Sequence, residues 1–280
     1  SFFGFPPPPF LTFLFNIPFP VGCSLLYATN YMAKRLGLGV KHPLPLPAVR
    51  EGLAPTRDWK RRVHDESWHV GDTFNAGIGQ GYVLASPLQL AVMTARLASG
   101  REVAPRLVRG RAGRPLPDPQ PPLLDVNGTH LRLMRESMLE VIISLTGLHP
   151  GRRGTARRSR IHDETARMAG KTGTSQVRRI TAAERAQGVF RNEDLPWERR
   201  DHALFVGFAP YEDPRYAISV IVEHGGGGSA AAAPIARDIM MRALWQGEPP
   251  LDAYPPSERR AIQERRMKPP APRPNRPRRA

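Results

Sequence analysis

The chain has 280 residues, 40% of them hydrophobic, and carries a formal net charge of +16 at pH 7. This length and hydrophobic content support a folded core in one large domain or two small ones. The single cysteine, Cys23, excludes an internal disulfide framework and a zinc site built from thiolates, and is compatible with either a periplasmic or a cytosolic protein.

Residues 1–30 read as a leader without a structural period. The first 20 residues hold seven Phe and six Pro. No apolar run there approaches the ~20 residues that a membrane-spanning helix needs, and the prolines at 6–9 would break a helix. No basic segment followed by a small-residue cleavage site indicates a signal peptide. We therefore expect no membrane anchor in this chain.

A helix end and a loop are predicted next. Met32 to Gly37 is typical of a last helical turn, with basic residues near the end and a glycine that stops it. Residues 41–75 are rich in Pro, Arg, His and Trp, which predicts an irregular surface loop.

Two well-defined helices follow. Ser86 is a good N-cap, Pro87 suits the first helical position, and Gln89 completes a capping box, so a helix should run to Gly100. A second helix is predicted over residues 129–145. Its apolar residues recur at helical spacing and should form one core-facing stripe: Leu131, Met134, Met138, Val141, Ile142 and Leu145.

The pattern then changes to strands, predicted at 168–177, 203–209 and 216–224, with the last two forming an antiparallel hairpin beside the first. The glycines at 225–228 predict a flexible loop into a final helix over residues 231–245. That helix should lay an apolar face on the sheet: Ile235, Ile239, Met240 and Leu244. Helices followed by a sheet and a covering helix predict an α+β layer fold.

Residues 248–280 are predicted to be a disordered, basic, Pro/Arg-rich tail. Residues 256–280 hold nine Arg or Lys against only Glu258 and Glu264, with almost no large apolar side chains to offset chain entropy. The tail is either simply solvated or contacts an anionic lipid, polymer or nucleic acid. Its basic residues are not interleaved with aromatic ones, which argues against nucleic acid.

Several motifs that would indicate cofactors are incomplete. The run Gly77-Ile78-Gly79-Gln80-Gly81 resembles a dinucleotide fingerprint, but Tyr82 stands where the last Gly is needed, so its glycines more plausibly let a turn pass close to a neighbour. Gly170-Lys171-Thr172 lacks the first glycine of a phosphate-binding loop. The eight His form no H-E-x-x-H motif. We expect neither a metal nor a cofactor.

The most informative segment is Lys171-Thr172-Gly173-Thr174, hereafter the motif. A cation, two hydroxyls and a backbone open to close approach suit a peptide carboxylate and a developing oxyanion, and this favours acyl transfer. No serine of the chain begins an S-x-x-K motif that would supply the nucleophile. His202, at the start of the strand beside the motif, either lines the groove or is a structural surface residue.

Five segments, taken together and in order, resemble one protein family: residues 73–82, 86–97, 154–156, 169–177 and 202–210. They are similar to the C-terminal half of the penicillin-binding protein 2 family, the class B peptidoglycan D,D-transpeptidases of rod-shaped bacteria. The resemblance runs over about residues 33–245. It implies an incomplete penicillin-recognising serine transpeptidase fold of the β-lactamase-like kind, with an antiparallel sheet covered by helices.

The resemblance also implies roles for the motif. In the family a serine attacks the penultimate D-Ala of a stem peptide, and β-lactams acylate the same serine. Lys171 would supply positive potential, Thr172 and Thr174 would bind the substrate carboxylate, and Gly173 would let the substrate lie along the strand. The backbone N–H of Thr174 would form half of the oxyanion hole. Neither S-x-x-K nor S-x-N is present, so the resemblance predicts no nucleophile within this chain.

The implied partners are peptidoglycan stem peptides, β-lactams and the glycosyltransferase of the elongation complex, on the periplasmic side of the bacterial inner membrane. Nucleic acid is not among them. The alternative is a non-catalytic remnant that holds peptidoglycan or another anionic polymer through the groove beside Lys171 and the basic tail.

Overall fold

The structure of the chain, a computed structural model, describes residues 29–144, 153–177 and 192–268. The predictions for residues 1–28 and for the end of the tail from residue 269 lie outside these ranges. Residues 29–35 are helical, and longer helices follow. They are α1 (Arg57–His64), α2 (Val70–Gly77), α3 (Pro87–Ser99), α4 (Gly128–Ile143), α5 (Ala232–Trp245) and α6 (Pro256–Met267). Short 3₁₀ turns lie at Arg157–Ser159, Glu164–Ala166, Asn192–Asp194, Trp197–Arg199 and Leu251–Ala253.

The described strands form a three-stranded antiparallel sheet in the order β1-β2-β3. These strands are β1 (Ala169–Ser175), β2 (His202–Ala209) and β3 (Tyr216–Val222). A separate two-stranded ribbon pairs Gly110–Arg111 with Arg114–Pro115. The three predicted strands and their antiparallel hairpin are confirmed, and within the described ranges β1 is an edge strand.

Helices cover both faces of this sheet, which confirms the α+β layer fold. On one face Ala169 and Phe208 pack with Leu97 of α3 and Met138 of α4. On the other face, Phe205 packs in a second cluster together with the alanines of α5. Successive residues of a strand point to opposite faces, so the two clusters draw on alternate positions of the same strands.

The predicted capping of α3 is confirmed. The Ser86 hydroxyl accepts a hydrogen bond from the backbone N–H of Gln89 at 3.2 Å. In return, the side-chain Oε1 of Gln89 accepts one from the backbone N–H of Ser86 at 2.9 Å. Gly100 closes the helix with a φ of +66°. In α4 the predicted stripe is confirmed at Met138 and Ile142, both buried.

The predicted loop at 41–75 is wrong in its second half, which forms α1 and α2. The Thr56 hydroxyl caps α1 by accepting the N–H of Trp59 at 3.1 Å. A buried ion pair joins the helices, because Lys60 Nζ lies 2.7 Å from Asp72 Oδ2. We predicted the other helices from apolar periodicity, whereas these two are joined by an ion pair between residues that are distant in sequence.

The predicted apolar face of α5 is confirmed at Met240 and Leu244, which pack in the core, and is wrong at the two isoleucines. Ile235 and Ile239 are 44% and 50% exposed. The helix instead buries a face of small side chains and methionines that packs closely on the sheet: Ala232, Ala233, Ala236, Met240 and Met241. Close packing of small residues, rather than the largest apolar ones, sets the rotation of this helix.

The tail is not disordered over the residues that the structure describes, since Pro256–Met267 forms α6. Arg237 of α5 is 1% exposed, and its two terminal nitrogens donate to the carboxylate of Glu258 at 3.1 and 2.6 Å. Ile262 adds one buried apolar contact. Contacts of charged side chains, including those of Arg266 with the carbonyl of Pro249 and the carboxylate of Glu248, thus help to hold a segment whose composition had argued against folding. None of the helices in the described part of the chain has the length and apolarity that crossing a membrane requires.

Candidate active site

The motif lies in β1, which is paired with β2 along its whole length. Lys171 lies opposite Val206, Thr172 opposite Phe205, and Thr174 opposite Ala203. Phe205 and Ala203 belong to the α5 side of the sheet. Cross-strand partners share a face, so Thr172 and Thr174 point to the α5 side and Lys171 to the other. Only a ligand along the outer edge of β1 could contact all three side chains.

Lys171 borders a cleft of about 310 Å³ between the end of α4 and β1. Most of the side chains lining this cleft are polar or charged: Ser137, Glu140, Ser144, Arg153, Thr155 and Lys171. A larger cleft of about 450 Å³ lies beside Tyr31 and Arg96 and contains no residue of the motif. The volume of a cleft therefore does not identify the site. The smaller cleft is the candidate because Lys171 of the motif is one of its lining residues.

The Lys171 ammonium donates to the backbone carbonyl of Thr172 at 2.7 Å. Although Lys171 is exposed overall, the protein atoms around it displace water and lower the pKa of its ammonium from the ordinary value of 10.5. Glu140 lines the same cleft, but Lys171 forms no ion pair with it or with any other carboxylate of the described ranges. A partly desolvated cation without a protein counter-ion favours an anionic ligand.

The glycines of β1 serve different purposes. A Cβ at Gly170 would overlap the ring of Phe205, so packing requires glycine there. A Cβ at Gly173 would meet only Leu204 Cβ, at 3.4 Å, an ordinary contact. Neither crowding nor a left-handed φ requires glycine at position 173 within the described structure, and the role of leaving room for a ligand stays a prediction.

The glycine run before α5 is not the flexible loop that we predicted. A Cβ at Gly228 would overlap the carbonyl oxygen of Leu204 and lie 2.6 Å from that of Gly173. Gly226 has a φ of +77° and donates its N–H to the carbonyl of Asp201 at 2.9 Å. Gly228 is packed against the backbone of β1 and β2 and is required by contact, Gly226 is favoured by its left-handed backbone, and Gly227 has open space where a side chain would be.

For the turn glycines at 77–81 we predicted close approach to a neighbour, but here the backbone conformation matters more than contact. Gly77 and Gly79 have open space where a side chain would be, and only Gly81 lies near another residue, with its Cβ position 3.3 Å from that of Asn75. Gly79 and Gly81 have φ values of +76° and +69°. At these two positions the left-handed backbone, and not mainly crowding, accounts for glycine.

His202 lies at the start of β2, opposite Ser175. Its Nδ1 accepts the backbone N–H of His224 at 2.9 Å, and its ring meets the His224 ring edge-on at 4.7 Å. The ring of Trp197 in turn lies 4.2 Å from that of His224. One ring nitrogen of His202 is therefore committed to holding the β3 turn, and a role in ligand binding stays a prediction.

We did not assign a role to Thr155 from the sequence, yet its hydroxyl lies 3.2 Å from the hydroxyl of Thr172. Spacing along the chain gives no signal for this contact, because the two residues belong to different elements. In the described part of the chain, no group of three or more His, Cys, Asp or Glu side chains is placed to hold a metal ion.

The chain is similar to one protein family over most of its length. A family model described as the penicillin-binding protein transpeptidase domain matches residues 27–241. The peptidoglycan D,D-transpeptidase MrdA of Haemophilus influenzae is 33% identical over 249 residues, which cover 87% of this chain and 36% of that protein. The MrdA protein of Acinetobacter baumannii is 41% identical over 213 residues, covering 72% and 29%. The chain thus spans about a third of the length of these relatives.

Solved structures show the same likeness. The crystal structure of Pseudomonas aeruginosa PBP2 in complex with WCK 5153 matches with a TM-score of 0.61 and 35% identity, covering 80% of this chain and 43% of that one. The complex between PBP2 and MreC from Helicobacter pylori matches with a TM-score of 0.62 and 30% identity, covering 85% and 38%.

Proposed function

Because this chain belongs to the family of penicillin-binding protein transpeptidase domains, we propose that it forms one wall of a peptidoglycan D,D-transpeptidase active site. Its ligand is the C-terminal carboxylate of a D-Ala-D-Ala stem peptide, and β-lactams occupy the same place. The observation that carries this proposal is the edge strand β1, where the Lys171 ammonium borders a cleft and forms no ion pair with Glu140 or any other carboxylate of the described ranges.

Each motif residue has a role that follows from its position. Lys171 supplies positive potential from one face of β1, and the hydroxyls of Thr172 and Thr174 donate to the carboxylate from the other. Gly173 leaves the strand edge open for the peptide backbone. The N–H of Thr174 donates to the oxyanion as the acyl bond forms. His202 lines the far end of this edge.

The reaction of the family needs a serine hydroxyl that these 280 residues do not supply in an S-x-x-K motif. That serine attacks the penultimate D-Ala carbonyl, the terminal D-Ala leaves as the free amino acid, and an amine of a second stem peptide takes the acyl group. We therefore expect this chain to bind the carboxylate and to form no acyl-enzyme by itself.

Fluorescent penicillin tests both parts of this proposal. The complete chain should raise the fluorescence anisotropy of the penicillin reversibly, and no label should remain on the protein after denaturing electrophoresis. The matched variant Lys171→Met should lose the reversible signal. A serine that stays labelled, or binding that is unchanged in K171M, would show that the motif has been misassigned.

Partners and location follow the family. We propose stem peptides and β-lactams as ligands, and the elongation-complex glycosyltransferase as a protein partner, on the periplasmic side of the inner membrane. The Helicobacter pylori relative was solved with MreC, which makes a protein similar to MreC a further candidate. Co-purification from a rod-shaped bacterium with and without the tagged chain tests these protein contacts.

The second candidate is a non-catalytic protein that retains peptidoglycan or another anionic polymer. Exposed basic side chains on α6 favour it, with the Arg260 side chain 93% exposed. Because α6 is part of the fold, the informative deletion is residues 269–280 alone. If cell-wall sacculi retain the chain in a salt-sensitive manner and lose it on this deletion, polymer binding is supported. Retention that ignores both salt and the deletion contradicts it.

A further inference from the structure

One side chain outside the motif contacts a motif hydroxyl. Thr155 Oγ1 lies 3.2 Å from Thr172 Oγ1, at hydrogen-bond distance, and either oxygen could donate. We propose that Thr155 is a positioning residue that orients the Thr172 hydroxyl toward the carboxylate of the ligand. This inference rests on the proposed function and adds a residue to it for which neither the motif nor the family match gives a role.

Thr155 is held by the backbone of α4 rather than by its own side chain. The N–H of Gly154 donates to the carbonyl of Ser144 at 3.2 Å, and the N–H of Ala156 donates to that of Val141 at 3.0 Å. A Cβ at Gly154 would lie 2.5 Å from the Val141 oxygen, so only glycine permits this approach. The two backbone bonds on either side fix where the Thr155 hydroxyl is presented.

The position of Thr155 joins the two faces of β1. It lines the cleft that Lys171 borders, while its hydroxyl contacts Thr172, whose side chain points to the opposite face. The turn at residues 154–156 therefore lies beside the outer edge of β1. A carboxylate along this edge would meet the Lys171 ammonium and the Thr172 hydroxyl together.

The contact acts through the direction of one proton. A threonine hydroxyl has one hydrogen to donate and two lone pairs that accept. When Thr155 donates to Thr172, the hydrogen of Thr172 is left for the carboxylate, and hydrogen bonds in series polarise one another. The branched Cβ limits Thr172 to few rotamers, so one bond to a fixed partner selects among them.

The test compares an acid with its amide on the complete 280-residue chain. The probes are N-acetyl-D-Ala-D-Ala and its C-terminal carboxamide, with affinities from titration of the Thr methyl signals by NMR. Thr155→Val keeps the side-chain shape and removes the hydroxyl. It should weaken binding of the acid ~3- to 10-fold, the usual effect of losing one hydrogen bond, and weaken binding of the amide less, because a neutral carboxamide oxygen accepts a weaker hydrogen bond than a carboxylate does. Thr155→Ser keeps the hydroxyl and should bind the acid like the unaltered chain.

The outcomes separate this inference from the proposed function. If Thr172→Val weakens acid binding and Thr155→Val does not, the positioning role is wrong and the proposed function stands. If acid and amide lose affinity equally in Thr155→Val, Thr155 is only structural and the inference is overturned. An unaltered chain that binds neither probe overturns the proposed function, and this inference with it. Thr155→Ala replaces Thr155→Val if the valine variant does not fold.

Discussion

Replacing Gly228 by alanine tests whether the loop before α5 supports the motif strand. The new methyl group would overlap the carbonyl oxygen of Leu204 and lie 2.6 Å from the oxygen and 3.1 Å from the nitrogen of Gly173. All three are backbone atoms of paired strands, so no side chain can rotate away. Either the loop lifts off the sheet or β1 moves.

The neighbouring glycine provides a matched control. At Gly227 a Cβ would meet nothing within 4 Å, and its backbone is not left-handed. Both Gly→Ala substitutions stiffen the unfolded chain to the same extent, a gain of about 0.4 to 1 kcal/mol. The difference between the two variants therefore reports the clash alone. Overpacking costs about 1 to 3 kcal/mol, and contact with rigid backbone favours the upper end.

Thermal unfolding followed by far-UV circular dichroism measures this difference. A cost near ~3 kcal/mol in a chain of this size should lower the Tm of G228A by about 6 to 12 °C relative to G227A. G228A should also bind N-acetyl-D-Ala-D-Ala more weakly, because the strain falls on the backbone of Gly173. Equal Tm values for the two variants would refute the packing argument.

Three further predictions concern charged groups. Glu258→Gln removes one of the two carboxylates that pair with the buried Arg237 guanidinium, and should lower the free energy of unfolding by ~2 kcal/mol in urea titrations. This is less than for a fully buried pair because Glu258 is 38% exposed and Asp238 still pairs with Arg237. Lys171→Met should weaken binding of the acid dipeptide ~10- to 100-fold, as loss of a charged hydrogen bond does. The same variant should raise the urea midpoint at pH 7, because the pKa of Lys171 is lowered by burial, which disfavours the charged form in the folded protein. Burial lowers the pKa of His42 from its ordinary value of 6.5. The free energy of unfolding should therefore be highest above pH 6.5 and fall as the pH drops through the lower folded-state pKa. His42→Gln should flatten this part of the pH profile of the urea midpoint.

Each of these has a control within the chain. Glu264→Gln removes the partner of the exposed Arg260 and should change stability by less than ~0.5 kcal/mol. An equal loss for Glu264→Gln and Glu258→Gln would contradict the importance of burial. Binding of the dipeptide amide should change little in Lys171→Met. If the urea midpoint of His42→Gln falls with decreasing pH as that of the unaltered chain does, His42 is not the group that titrates.

The elements with local signals were predicted from sequence. Ser86 and Gln89 lie three residues apart and satisfy each other's backbone, so the start of α3 is determined by neighbours along the chain. The β-branched and aromatic residues that predicted β2 and β3 are an equally local signal. The motif strand was identified because its residue types are unusual in combination. Its strand conformation was not the signal.

The elements that depend on distant partners were missed. Helix α5 exposes Ile235 because the sheet accepts its alanines more closely, and no periodicity of α5 alone reveals the shape of that sheet. Helix α6 needs Arg237, and α1 and α2 need the pair between Lys60 and Asp72. In the site, Thr155 and Gly228 reach the motif only after the chain has folded.

The buried guanidinium of Arg237 also bears on where this folded unit ends. The match to the family model ends at residue 241, inside α5. A boundary drawn there would cut the helix and leave a cation facing the protein interior without Glu258. Asp238 also pairs with this guanidinium, but the two hydrogen bonds from its terminal nitrogens to Glu258 extend the folded unit through residue 258, and any engineered variant of this protein should keep that carboxylate in place.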